Sequence, residues 1–139
     1  FDYEEAILFA TKVNKPILLD FTGHGCVNCR DIESRVWSDE TIRNLLNNDY
    51  ILVSLYVDDK TLLPENDWFI SEYDNKIKKT IGKQNADFQI TRFNNNAQPF
   101  YIVINPYTDE IIGKPLGYDL NVQNNISFLK NNLSIFYEN

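Results

Sequence analysis

Cys26-Val27-Asn28-Cys29 is the segment of this chain best equipped for chemistry. Two intervening residues put both sulfurs on the first turn of one helix, near enough to bond, with the first at the exposed end and the second facing inward. The reactive form of cysteine is the thiolate, and the partial positive charge of a helix N-terminus favours it at Cys26. Thiol-disulfide exchange is the chemistry such a pair performs, and a disulfide staple or half of a metal site are the competing readings. A structural zinc takes four ligands, whereas beyond the two cysteines the chain offers one histidine, His24, and carboxylates. A chain of 139 residues buries a core without staples, so stability does not require the pair. No cofactor is expected beyond the redox-active disulfide itself.

Two acids stand near the dithiol. Asp20 interrupts the apolar run Ile17-Leu18-Leu19-Asp20-Phe21, and an acid buried in a strand has its proton affinity raised, which suits proton transfer. The competing reading is a strand acid satisfied by a local hydrogen bond. Glu33 lies one turn beyond Cys29 and faces roughly the same way, as a second acid of the site or as a solvated helix residue. His24 falls outside the two-residue spacer and reads as an exposed loop residue, not a catalytic one.

Positioning these groups requires a strand that hands over to a helix. The unalternating apolar run over Ile17–Thr22 predicts a strand covered on both faces, as in a sheet with helices on either side. Tyr3, Ala6, Ile7, Ala10 and Val13 recur at helical spacing and predict a helix over residues 2–13. After the dithiol, Cys29, Ile32 and Val36 form one helical stripe. The helix breaks near Trp37-Ser38, where Ser38 or Asp39 can cap a second one through Ile42, Leu45 and Leu46. Tyr50–Val57 is the strongest strand signal and is expected to be a central strand. Residues 58–97 read as an elaborated insertion. It holds polar turns, Trp68 and Phe69 as core more than docking surface, a hairpin turned at Asp74-Asn75 that includes Ile77–Ile81 and ends at Gly82, and a short helix through Ala86, Ile90 and Phe93. Gln98-Pro99 opens the strand Phe100–Ile104, the turn Asn105–Asp109 leads into an antiparallel partner over Glu110–Gly113, and Val122, Ile126, Leu129, Leu133 and Phe136 define a closing helix.

Charge and length bound the function further. A formal charge of −7 argues against nucleic acid and anionic membrane surfaces, which demand clustered Lys and Arg. No apolar stretch approaches the roughly eighteen residues that cross a bilayer. Methionine is absent and Phe1 is no translation start, so the chain is expected to be a processed product or one domain of a longer protein. Asn125-Ile126-Ser127 and Asn132-Leu133-Ser134 match the glycosylation pattern, a match attributed to the abundance of asparagine.

The order of elements, the acid six residues before Cys26, the dithiol opening a helix and Pro99 at a strand start together resemble the thioredoxin fold over most of a single domain, residues 1–139. More narrowly, Leu19–Arg30 through Glu33, followed by Tyr56-Val57-Asp58-Asp59-Lys60, resembles the C-terminal thioredoxin-like domain of DsbD-type transmembrane thiol:disulfide interchange proteins. That resemblance implies an α/β domain with a central mixed sheet of four to five strands, flanking helices and an insertion before a cis-proline strand. It implies a reductant on the periplasmic side of the inner membrane, fed by a membrane-embedded dithiol in an upstream part of the same polypeptide and delivering electrons to a periplasmic reductase domain. Cys26 and Cys29 would carry the exchange with Asp20 and Glu33 tuning it. Gln98, Pro99, Gly25, Val27 and Asn28 would face the protein partner, and the isolated domain would be monomeric. Two features depart from the family: Gly23-His24-Gly25 stands where thioredoxins place a tryptophan, and the 58–97 segment is long. A free-standing reductase or isomerase, and a binding module with a structural disulfide, are the alternative functions.

Overall fold

Ile17–Thr22 (β1) is buried at every position, as its unbroken apolar run requires, because helices cover both of its faces. The computed structural model describes residues 3–138, so Asp2, the first residue of the predicted opening helix, lies outside it. The elements run α1 (Tyr3–Val13), β1, α2 (Val27–Arg35), α3 (Glu40–Asn48), β2 (Ile51–Tyr56), a 3-10 turn (Glu65–Asp67), β3 (Phe69–Ile70), β4 (Ile77–Lys78), α4 (Ile81–Phe93), β5 (Phe100–Asn105), β6 (Glu110–Leu116) and α5 (Val122–Glu138). The four-stranded sheet has the order β2-β1-β5-β6, with β1 parallel to β2 and antiparallel to β5, and a separate two-stranded sheet pairs β3 with β4.

Strand alternation divides the core. Ile17, Leu19 and Phe21 pack with Ala6 and Ala10 of α1 and with Phe88 and Phe93 of α4. Leu18 packs on the other face with Ile32, Val36, Ile42, Leu45, Leu129 and Phe136 from α2, α3 and α5. Each such fully buried aliphatic side chain contributes about 1.5–3 kcal/mol. Asp20 points to the same face as Leu18, towards α2.

Local sequence fixes the helix ends. Asp39 is the residue that caps α3, accepting the Ile42 N–H at 3.2 Å. Thr80 caps α4 by accepting from Lys83 at 3.1 Å, and Asn94, left-handed at φ 52°, closes it. Asn125 and Asn132 of the two glycosylation patterns are buried in α5, where the Asn125 amide nitrogen donates to the carbonyls of Asp119 and Asn121.

Three expectations need correction. β2 is an edge strand, not a central one: the apolar pattern of Ile51–Tyr56 reflects cover from α1, α3 and α4 on its faces, which periodicity cannot separate from having two neighbours. Gly82 does not end the hairpin but occupies the first turn of α4, where its N–H donates to the Asp59 carbonyl at 2.9 Å. The hairpin turned at Asp74-Asn75 has two-residue strands, and Ile81 belongs to α4. α4 packs with α1 on one face of the sheet, and residues 58–80 connect β2 to it. Trp68 and Phe69 are half-buried there, with the Trp68 indole donating to the Leu63 carbonyl and Lys79 over its ring.

Candidate active site

The dithiol forms where β1 delivers the chain to α2. Cys26 is the N-cap of α2, with extended backbone (φ −85°, ψ 104°), and its sulfur accepts the Cys29 N–H at 3.2 Å. The free N–H groups of a helix's first turn donate to whatever acceptor caps them, so the same Cys29 N–H that meets the disulfide sulfur would stabilise a Cys26 thiolate after reduction. Cys26 is bonded to Cys29 with 5.3 Å between the Cα atoms. Cys26 is half-buried and Cys29 is 1 % exposed, so a partner can reach only the first sulfur.

Asp20 lies in β1, the strand that leads to this pair, and is 3 % exposed. Burial raises its pKa to about 7; the Ser54 hydroxyl, donating at 3.0 Å, and the Arg30 charge pull it down, while the Glu33 charge pushes it up. Ser54 reaches it because β1 and β2 pair in register, Asp20 opposite Ser54. Glu33 is itself held by Arg30 at 2.8 Å, and the same guanidinium nitrogen donates to the buried Thr22 hydroxyl at 3.0 Å. Asp20, Glu33 and Arg30 thus form one electrostatic group around the base of α2.

The register of β1 with β5 pairs Phe21 with Phe100, which brings Pro99 to the end of the sheet where β1 turns towards the dithiol. The Gln98–Pro99 peptide is cis, and Pro99 is buried. The Gln98 side chain is committed internally, donating to Gln89 at 2.9 Å and to the Asn96 carbonyl at 3.1 Å, so its backbone is what remains for a partner. Gly25 and Asn28 are exposed and Val27 is 73 % exposed, on the accessible side of the pair. His24 is exposed and stacks on Tyr56, ring centroids 4.0 Å apart. Among the described residues no cluster of three or more His, Cys, Asp or Glu is arranged to hold a metal ion.

A buried acid, a capped half-buried sulfur and a second sulfur behind it on a strand-to-helix turn are the parts of a reversible disulfide centre. A family model described as thioredoxin-like matches residues 1–106. The chain belongs to the thioredoxin-like family. Solved structures bear the same thioredoxin-like fold. A DsbH oxidoreductase superposes with TM-score 0.70 at 17% identity, covering 97% of this chain and 83% of the other. A thioredoxin from Thermus thermophilus gives TM-score 0.65 at 19% identity, with 94% and 83% covered. The oxidised C-terminal domain of DsbD from Neisseria meningitidis gives 0.61 at 10% identity, with 92% and 90% covered. No curated protein matches the sequence.

Within this thioredoxin-like site, sequence reasoning missed four contributors. Ser54 was visible in principle, as the one polar side chain inside the β2 run. Arg30 was legible only as a charge next to Cys29. Gln89, 0 % exposed, bonds Asn95, the Ala97 carbonyl and Gln98, and so ties the loop before Pro99 to α4. Asp58 accepts from the backbone of His24 at 2.9 Å and of Gly25 at 3.0 Å, across a chain separation that no local pattern reveals.

Proposed function

We propose that this domain is a thiol-disulfide oxidoreductase acting as a reductant, with the Cys26–Cys29 pair as its only redox group. The observation that carries the reading is the asymmetry of the pair, one sulfur accessible at a helix N-cap and the other buried, with a buried acid of pKa about 7 in the strand that leads to it. In the reduced domain the Cys26 thiolate attacks a partner disulfide. A bond forms between Cys26 and one partner sulfur, and the other partner sulfur leaves as thiolate and takes up a proton. Cys29, deprotonated towards Asp20, then attacks the Cys26 sulfur and expels the second partner thiolate. Two electrons have passed to the partner, and the domain is left as the disulfide. Recharging needs a dithiol donor. The sequence resemblance to the C-terminal domain of DsbD-type interchange proteins supports a membrane-embedded dithiol as that donor, a periplasmic setting and a protein disulfide as acceptor, and such a domain shares this fold. No helix of the described residues is long and apolar enough to cross a membrane.

The reduction potential tests this reading. Equilibration in graded thiol buffers, with free thiols trapped by a mass-shifting reagent, should give a reversible two-electron transition at about −200 to −270 mV. A value near about −120 mV would make the domain an oxidant, and resistance below about −300 mV would mark a structural staple.

A further inference from the structure

Gly23-His24-Gly25 carries the reactive sulfur yet has almost no stiffness of its own, since glycine restricts its backbone less than any other residue. The loop is nevertheless fixed, and from outside. We propose that Asp58 is the positioning residue of the dithiol, holding this loop so that Cys26 stays at the α2 cap ready for exchange; the inference rests on the thiol-disulfide reading above. Its two carboxylate oxygens divide the work. Oδ1 accepts the His24 N–H at 2.9 Å and Oδ2 accepts the Gly25 N–H at 3.0 Å, while the Cys26 N–H closes the turn on the Gly23 carbonyl at 3.2 Å. Three consecutive amides leading to the sulfur are therefore satisfied, two of them by one side chain. These charge-assisted bonds hold the carboxyl of Asp58 below the usual carboxylate range, so it remains ionised throughout the neutral range.

The surroundings are shaped for this contact. A Cβ on Gly23 would lie 3.3 Å from Asp58 Oδ2 and 3.4 Å from its carboxyl carbon, so the glycine admits the carboxylate. Behind Asp58, the Val57 N–H bonds the Thr22 carbonyl at 2.9 Å, Asp59 accepts the Thr61 N–H at 2.9 Å, and the first turn of α4 docks on the Asp59 carbonyl through Gly82. Tyr56, two residues before Asp58, supports the His24 ring. The latch thus braces the loop from the end of β2, and α4 is tied back to the same segment through the Asp59 carbonyl.

Asp58→Ala removes both acceptors and the charge; Asp58→Asn removes the charge but keeps one acceptor oxygen. The rate at which each reduced protein attacks a small aromatic disulfide is measured across the neutral range and divided by the thiolate fraction, read from thiolate ultraviolet absorbance. A displaced nucleophile reacts slowly even when ionised, so Asp58→Ala should lower this normalised rate about tenfold or more, with part of the loss recovered in Asp58→Asn. An unchanged normalised rate in Asp58→Ala overturns the proposal. So do equal normalised rates in the two variants with a shift in Cys26 acidity alone, since Asp58 would then act only as a charge. Failure of the wild-type pair to exchange with any disulfide would instead overturn the parent reading, whatever the variants do.

Discussion

In the proposed role of base for Cys29, Asp20 would be neutral and unable to accept a proton below its pKa of about 7, and ionised and able to accept one above it. Resolution of a mixed disulfide, followed by stopped-flow in the wild type, should therefore accelerate with pH through about 7. Asp20→Asn should remove that inflection and slow resolution by about a hundredfold, the usual contribution of a positioned base. The neighbours tune the same group in opposite directions. Ser54→Ala deletes the hydrogen bond that favours the ionised form, so the Asp20 titration followed by carboxyl NMR should move upward, whereas Glu33→Gln deletes a like charge and should move it downward. Of the site, Cys26, Cys29, Asp20 and Pro99 were readable because each has a signature along the chain: spacing, an acid in an apolar run, a proline before a strand. Gln89 has none, and Asp58, though part of the 56–60 segment that carries the family resemblance, has nothing along the chain that tells what it bonds. Each acts on residues brought close only by the register of β1 with β2, or by the packing of α4 on the loop before β5.

The elements followed the sequence where one hydrophobic period was unopposed. α2, β5 and α5 lie close to where their apolar stripes put them, and the Asn105–Asp109 turn joins β5 to β6 as an antiparallel hairpin, with Asp109 left-handed at φ 59°. α4 began earlier than expected because two signals conflicted: Thr80 is a good cap, yet Gly82 two residues later reads as a terminator. The glycine is there for clearance. A Cβ on Gly82 would lie 2.6–2.7 Å from the Asp59 carbonyl and nitrogen and the Val57 carbonyl, all backbone atoms. Gly82→Ala should consequently cost about 1–3 kcal/mol in urea denaturation, despite the better helix propensity of alanine. Thr80→Ala, which removes only the cap, should cost about 1 kcal/mol.

Over the whole molecule, the buried acid makes stability depend on pH. Unfolded, Asp20 titrates near about 3.9, and folded at about 7, so between these values the native state binds more protons than the unfolded state and stability falls as pH rises. The integrated loss from this one residue is on the order of 4 kcal/mol at pH above 7. Asp20→Asn should flatten that decline and be the more stable protein on the alkaline side, as urea denaturation at a series of pH values would show. The three-layer arrangement was legible from β1, whose apolar run demanded cover on both faces; the edge position of β2 was not, because helices alone can make a strand apolar. The latch at the dithiol loop also has a consequence for solvent exchange. His24 and Gly25 are exposed residues, but their amide hydrogens point at the carboxylate oxygens of Asp58, so in deuterated water they should exchange more slowly than in Asp58→Ala, where they face solvent.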